Sequence, residues 1–444
     1  MKTHDVVTVD IESLAYGGEG VGRIQKKVVF VPFGAPGDRV EVTISEAKRN
    51  YMRGHIERFE RLSQTRAVPL CDYFGDCGGC QWQHLTYAYQ LETKEQIVKN
   101  SMGRIAKMHD YDLLPIVPSP KIFGYRSRVR MQCHTERRHT LGFFRANTNE
   151  IVAIERCDLL PPFLNQLMRR LNEFLDSLEC LIALSEIEIL TNPEKEEGAI
   201  SFSAEAFQKD LLPSFLKSLK NCIPSIYGVA IHTGLEAGGQ TQYFGNCTLE
   251  SSEEILPSGR QDPISLEMRT HVNTFSQVNR QQNRTLVRTI YEWIQPSGAE
   301  TVFDVYCGMG NLCIPMARDV KRVVGIENND LAIEDACYNA ESNHLVNCEF
   351  IRNDALLGLQ ELRRQGSTVD VVLLDPPRKG CKDLIQEIVE CRPSKIIYVS
   401  CNPTTMARDM ALFHYSNYRL TRIQPLDMFP QTYHVEAIAE LVPA

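Results

Sequence analysis

The chain has 444 residues, room for two to four domains, and its 43% hydrophobic and 23% charged content is that of an ordinary globular protein rather than a disordered, collagen-like or coiled-coil chain. No apolar run approaches the ~20 residues of a membrane-spanning helix, and the opening MKTHDVVTVDIESLAYGG has no basic-then-apolar leader, so a cytoplasmic protein is expected. The net charge of −8 argues against a nucleic-acid partner only if evenly spread, yet residues 181–270 hold 13 acids against 6 Lys/Arg while residues 121–145 hold 7 basic residues against Glu136 alone. A polyanion responds to that local field.

Residues 1–62 read as a small β-barrel. The runs VVTVDIESL, KKVVFVPF and RVEVTISEAKRNYMRGHIERF are separated by the turns YGGEGVGRI and GAPGD, and short β-branched runs at such spacing predict a closed or nearly closed sheet. Lys48, Arg49, Tyr51 and Arg53 interleave charge with an aromatic ring. Single-strand nucleic-acid binders have this pattern, and so do charge-protected edge strands.

Residues 63–268 form a second, α+β unit. Cys71, Cys77, Cys80 and the distant Cys157 suggest a metal centre before disulfides in a reducing compartment, and their spacing suits zinc or iron–sulfur alike. Residues 84–107 carry apolar positions near i, i+3 and i+4, predicting a helix free to pack on the following domain. Over 121–160 two strands are predicted. Lys121, Arg126, Arg128, Arg130, Arg137, Arg138 and Arg145 mix there with Tyr125, Phe143 and Phe144, either as a surface that tracks phosphates and stacks bases or as amphipathic strands with solvated charge. Residues 161–265 mix helix and strand without a functional signal.

From 269 to 444 strands alternate with helical segments: 301–306, 321–327, 347–352, 369–375, 395–400, 418–427 and 436–442. That order predicts a doubly wound parallel sheet, which binds ligands at the carboxyl ends of its strands. The first strand runs into Asp304-Val305-Tyr306-Cys307-Gly308-Met309-Gly310-Asn311. Cys313 stands where a dinucleotide fingerprint needs its third glycine, so a pyrophosphate cradle is incomplete. Asp304 can face an ammonium group and Glu327 ribose hydroxyls, and Asp354 follows the third strand. S-adenosylmethionine, which has an amino acid and a ribose but no phosphate, suits this set; the same acids can equally cap loops and helices.

The fourth strand ends in Asp375-Pro376-Pro377-Arg378. That turn resembles one in enzymes that methylate amino groups, but it lacks the aromatic residue that stacks an extruded base, which makes amine methylation the weaker reading. The fifth ends in Ser400-Cys401-Asn402-Pro403, where the thiol is a nucleophile or a packing residue. Glu436, just before the last strand, is a base or a surface acid.

Taken together these motifs resemble the RNA uracil-5-methyltransferase family over nearly the whole chain, in its 23S rRNA branch. FSQVN (Phe275–Asn279), DVYCGMGN, LLDPPRKG, YVSCNP and HVEAIAEL carry the resemblance. It implies a multidomain α/β protein with three parts: an N-terminal TRAM or OB-like barrel, a central α+β iron–sulfur domain and a C-terminal Rossmann-like methyltransferase domain. It further implies a [4Fe–4S] cluster on Cys71, Cys77, Cys80 and Cys157. Cys401 is the nucleophile and Glu436 the general base by the same resemblance, with Gln277, Tyr306, Asn311, Glu327, Asp354 and Asp375 at cofactor-contacting positions. The family usually has Phe where Tyr306 stands. Related cytosine-5 enzymes place a cysteine in a Pro-Cys pair after the fourth strand, where this chain has Pro377-Arg378. The implied activity is methyl transfer to C5 of an unpaired or flipped uridine in 23S rRNA through a Cys–C6 adduct. The alternatives are a tRNA uracil-5-methyltransferase or a catalytically retired RNA-binding protein, and no membrane or obligate protein partner is expected.

Overall fold

The computed structural model describes residues 2–135, 139–178, 182–205, 207, 209–234 and 239–444. Five strands, β1 (Val6–Leu14), β2 (Gly20–Ile24), β3 (Lys27–Val31), β4 (Arg39–Ala47) and β5 (Tyr51–Arg61), close into a barrel in the order β1-β2-β3-β5-β4. Alternation explains its core: Val9, Ile11, Val29, Val31, Val40, Val42, Ile44 and Met52 point inward while the intervening charges face solvent. Closure leaves no free sheet edge. Asp38, wholly buried, anchors the barrel to the segment after β5: it accepts from Ala35 N (2.6 Å), Ser63 N (2.8 Å) and Arg66 Nη2 (2.7 Å).

The chain then passes through α1 (Tyr87–Ser101) and the two-residue β6 (Asp112–Leu113) into β7 (Arg128–Thr135), β8 (His139–Phe144), β9 (Ile151–Ala153), α2 (Pro162–Asp176), β10 (Leu184–Asn192), β11 (Glu197–Ala204), α3 (Leu212–Cys222), β12 (Ile226–Thr233) and β13 (Gln240–Gly245). Seven of these strands make one sheet in the order β13-β12-β11-β10-β7-β8-β9. The apolar stripe of α2 (Leu164, Leu167, Met168, Leu171, Phe174) is buried in the core that includes Ile187, Ile189, Ile200 and Phe202 of that sheet, as 3.6-residue periodicity requires. A hairpin, β14 (Thr248–Ile255) with β15 (Ile264–His271), leads into the last unit.

That unit contains α4 (Arg280–Ile294), β16 (Thr301–Val305), β17 (Arg322–Glu327), α5 (Asp330–Ser342), β18 (Cys348–Arg352), α6 (Ala355–Arg364), β19 (Val371–Leu374), α7 (Ile385–Glu390), β20 (Lys395–Ser400), α8 (Pro403–Tyr415), β21 (Tyr418–Leu426) and β22 (Glu436–Pro443). Its sheet runs β18-β17-β16-β19-β20-β22-β21-β6. The first five strands are parallel and β22 enters antiparallel between β20 and β21. Strand order reverses between β16 and β19, and a crevice opens at such a switch point. β6 pairs with β21 at the far edge, and Trp82, Leu85, Ile97, Val98 and Met102 share one core with Phe303, Tyr398 and Phe413. The segment from Trp82 to Leu113 is therefore packed into the core of this last sheet. Among the described residues no helix is long and apolar enough to cross a membrane.

Two expectations are corrected. Cys71, Cys77, Cys80 and Cys157 all line one cavity, but rings and aliphatic groups, among them Tyr73, Phe74, Val129, Phe143 and Leu160, line it with them. Among the described residues no group of three or more His, Cys, Asp or Glu is placed to hold a metal ion. The central unit is thus described as an α+β domain; the described residues do not support an iron–sulfur domain, and the [4Fe–4S] cluster and metal-binding expectations are withdrawn.

The arginine ladder is likewise not a free cationic surface. Arg128 is buried, donating to the carbonyls of Thr274, His271 (3.2 Å) and Val272 (3.1 Å). Arg126 lines the cysteine cavity, Arg130 pairs with Glu188 (3.0 Å), and Arg145 pairs with Asp76 and Glu150. Tyr125 is buried, whereas Lys121 and Phe144 are exposed. Arg137 and Arg138 lie outside the described residues.

Candidate active site

The glycine turn after β16 is shaped by backbone geometry. Tyr306 adopts φ +72°, Gly308 +54° and Gly310 +87°, left-handed conformations that suit glycine. Tyr306 N and Cys307 N both donate to Ile326 O (3.0 and 3.1 Å), which ties the turn to β17. A Cβ on Gly308 would meet only open space, whereas one on Gly310 would run into Ile314. Gly308 therefore leaves room above the turn, and Gly310 lets the chain after it fold back.

A cavity lies over this turn, lined among others by Gln277, Tyr306, Gly308, Asn311 and Asp375. Asn311 is fixed by a reciprocal pair with Asn283 of α4: Asn283 Nδ2 donates to Asn311 Oδ1 (2.7 Å) and Asn311 Nδ2 to Asn283 Oδ1 (3.0 Å). Glu327 and Asp354 do not line the cavity; they sit at the ends of β17 and β18 on the same rim. Glu327 accepts from Gly308 N (3.2 Å), Asn328 N (2.8 Å) and Asn329 N (3.0 Å). Asp354 caps α6, accepting from Leu356 N (2.9 Å). The capping reading of these two acids thus describes bonds that they do make.

Sequence reasoning missed the opposite wall. Ser127, Thr191 and Asn192 of the central unit and Ser251 and Glu253 of the hairpin face the glycine turn across the cavity. Glu253 accepts from Arg280 (2.8 Å) and Arg284 (2.6 Å), and Glu194 lies 3.9 and 3.8 Å from the same two arginines, so two acids offset the two nearest cations and the cavity offers little to a phosphate. Beneath the turn Asp304 is wholly buried, with Cys313 as the hydrogen-bonding neighbour that opposes its rise. Burial, then Asp375 and Glu327, push it up to about 7. An open glycine turn, rim carboxylates and arginines already paired with acids fit S-adenosylmethionine.

The second half of the site lies one strand over. β20 pairs with β22 with Ser400 opposite Ala437 and Val399 opposite Ile438; continuing that register sets Cys401 across from Glu436. Cys401 is half-buried and directly precedes Asn402, the N-cap of α8, whose Oδ1 accepts from Thr404 N (3.1 Å). A helix N-terminus favours a thiolate beside it. Burial, Glu436 and Asp375 nonetheless push the Cys401 thiol up to about 11, with Arg378 opposing them. Glu436 is buried, and burial followed by Asp375 lifts its carboxyl well above the ordinary range, again against Arg378. Asp375 rises to about 6 through burial. Cys401 and Glu436 share Arg378 as their cationic partner, with Asp375 raising both. Raised carboxyls beside a thiol in a cleft mark a site built for proton transfer.

The barrel reaches this cleft. Tyr16, in the turn after β1, donates to Asn402 Oδ1 (3.4 Å), and its ring meets Tyr433 edge-on with centroids 5.4 Å apart. Phe275 of the cavity rim is largely exposed.

Comparison with known proteins agrees with this architecture. The family model described as tRNA (Uracil-5-)-methyltransferase matches residues 86–442, and that of the TRAM domain matches residues 2–56. An uncharacterized RNA methyltransferase of Thermosynechococcus vestitus is 35% identical, the match covering 98% of this chain and 97% of the relative. A 23S rRNA (uracil(1939)-C(5))-methyltransferase of Cronobacter sakazakii is 33% identical, over 99% and 96%. A solved structure, the Pyrococcus abyssi tRNA (uracil-54, C5)-methyltransferase in complex with S-adenosyl-L-homocysteine, superposes with a TM-score of 0.74 at 27% identity, covering 98% of this chain and 99% of that one. The chain belongs to the TRAM-domain RNA uracil-5-methyltransferase family and is an S-adenosylmethionine-dependent enzyme that methylates C5 of a uracil in RNA.

Proposed function

We propose that Cys401 is the nucleophile and Glu436 the base of this methyl transfer. The observation that carries the proposal is the β20–β22 register, which brings the two residues together at the strand ends beside the cavity under Asp375. C5 of uracil is too weak a nucleophile to take a methyl group unaided. The Cys401 thiolate adds to C6, forming an S–C bond and shifting the C5–C6 electron pair to C5 as an enolate. S-adenosylmethionine, when bound, supplies the methyl group on a cationic sulfur and leaves as the neutral thioether. Glu436 then takes the C5 proton, the C5–C6 double bond re-forms, and the S–C bond breaks to return the thiolate. Splitting one hard substitution into addition, transfer and elimination lowers each barrier.

The other residues take their roles from their places. Gln277, Tyr306, Asn311 and Asp375 line the cofactor cavity, and Glu327 and Asp354 hold its rim. Arg378 holds the Cys401 thiolate and limits the rise of Glu436. A base in a duplex cannot reach such a cleft, so the uridine enters unpaired or flipped, at a cost of a few kcal/mol.

For the RNA itself, the match over both full chains to the archaeal tRNA enzyme, together with the description of the family model, supports a transfer-RNA uridine. A second reading, a uridine of 23S rRNA, is favoured by the relatives from Cronobacter sakazakii and Photorhabdus laumondii, 33% and 32% identical. Mapping 5-methyluridine in both RNAs from cells with and without the gene separates them: the site that vanishes is the target. Cys401→Ala is expected to abolish methylation, and near-normal methylation by that variant would overturn the mechanism.

A further inference from the structure

The base Glu436 sits where a connection returns to the sheet. Residues 427–435 join β21 to β22, and the closing pair is Leu426 opposite Glu436. The strand register places Glu436, and the connection ends directly at it, so whatever holds the connection also steadies the strand end that carries the carboxylate. The grip comes from the segment before the central sheet. Lys94 of α1 is wholly buried; its Nζ lies 2.5 Å from Asp427 Oδ1 and donates to Phe429 O at 3.0 Å. One turn earlier Gln90 Nε2 donates to Gln431 Oε1 (3.0 Å) and Gln431 N donates to Gln90 Oε1 (3.0 Å). Gln431 has φ +70°, a conformation that a side chain adopts only when its surroundings enforce it. Its carbonyl accepts from Gln81 N (3.1 Å) and Trp82 N (3.0 Å), and Asp427 N donates to Val117 O (2.9 Å).

A fully desolvated ion pair contributes little net stability, since apolar packing of the same volume does as well or better. What it does supply is direction: one ammonium bonded to a single oxygen of Asp427 and to the Phe429 carbonyl ties two points of the connection to α1. We propose that Lys94 is a positioning residue for proton abstraction, holding the 427–435 connection through Asp427 so that Glu436 faces C5 of the ring bonded to Cys401. The inference rests on the roles proposed above for Cys401 and Glu436. Cys401 itself is held from the other side, by the start of α8 and the 378–380 turn: Asn402 Nδ2 donates to Arg378 O (3.1 Å). Loosening the connection therefore spares addition and methyl transfer and slows proton removal, so the methylated adduct accumulates.

The test is the double variant Lys94→Met with Asp427→Leu, which replaces the pair by apolar groups and leaves no lone buried charge. A single turnover is followed with uridine-containing transcripts and a labelled methyl group, and denaturant-resistant protein–RNA adduct is separated from free methylated RNA. The expected result is first-turnover methyl transfer within about twofold of the unaltered enzyme, release of product slowed at least tenfold, and a persistent methylated adduct. Transfer and release falling together without adduct, or both unchanged, would overturn the proposal. If the double variant does not fold, Gln90→Leu loosens the same connection and is read by the same partition. Glu436→Gln, run alongside, separates the two claims. If it traps no adduct, the mechanism itself fails; if it traps adduct and the Lys94 variants do not, only the positioning role fails.

Discussion

Asp304 offers a test in which the fold opposes its own sequence. Its carboxyl is wholly buried and is raised from 3.8 to about 7 by that burial, against hydrogen bonding from Cys313. A raised folded-state value means that the folded protein keeps a proton that the unfolded chain releases. Stability contributed by this group is thus full below about pH 4 and is lost as pH rises toward 7. A displacement of about 3 units at 1.36 kcal/mol each amounts to about 4 kcal/mol. Asp304→Asn removes that dependence. The amide brings its own unsatisfied groups, a cost of about 1–3 kcal/mol, but that cost does not change with pH. The stability difference between variant and parent should therefore move by about 4 kcal/mol in the variant's favour between pH 4 and pH 8. Urea denaturation at several pH values, without cofactor, measures it. A difference that stays constant across that range would show that Asp304 is ionised and satisfied in the folded enzyme, and would refute the reasoning.

Three further outcomes are expected. Gly310→Ala forces a Cβ against Ile314 at φ +87°, and should cost about 2–4 kcal/mol of stability and weaken binding of S-adenosylhomocysteine measured by calorimetry. Arg378→Gln removes the cation that opposes the rise of Cys401; adduct formation should slow about tenfold for each further unit of rise, with the pH–rate curve displaced upward between pH 6.5 and 9.5. Arg128→Met strips donors from the carbonyls of Thr274, His271 and Val272 and leaves Glu188 without its 3.5 Å partner. Glu188 keeps Arg130 at 3.0 Å, so the cost is that of the carbonyls left without donors: a loss of about 2–4 kcal/mol in thermal or urea unfolding is expected, with weaker cofactor binding because the segment toward Gln277 loosens.

Much of the catalytic unit is legible in the chain because a parallel sheet puts its chemistry at strand ends. Val302, Phe303 and Val305, or Ile396 to Val399, announce strands buried on both faces, and the polar residues directly after them fall at the cleft. The barrel is legible for a similar reason, since β-branched alternation and closely spaced turns leave few other folds. Periodicity predicts a helix over 84–107 that packs on the following domain, and one spans Tyr87–Ser101, but periodicity does not find its gripping residues: the buried face includes Gln90, Thr93 and Lys94, polar residues that a hydrophobic pattern assigns to solvent. Gln431 and Asp427, which Gln90 and Lys94 hold, lie more than 300 positions away. β6 is two residues long and carries no periodic signal. Arg128 reads as a phosphate contact because alternation tells which residues share a face but not what covers that face, and here it is the 271–274 segment. The cysteines show the same limit, since their spacing suggests a ligand set that the cavity around them does not assemble. The far wall of the cofactor cavity comes from β10 and β14, whose sequences carry no motif.

The central claim is a covalent bond between Cys401 and C6 of the target uridine. It is tested most directly with RNA containing 5-fluorouridine, in which fluorine replaces the proton that Glu436 must remove, so the cycle halts after methyl transfer. The account predicts a denaturant-stable one-to-one protein–RNA adduct that carries the methyl group, maps by mass spectrometry to the peptide containing Cys401 and is absent from Cys401→Ala. An adduct on another residue, or methylation of ordinary RNA with no adduct on the fluorinated one, would contradict it.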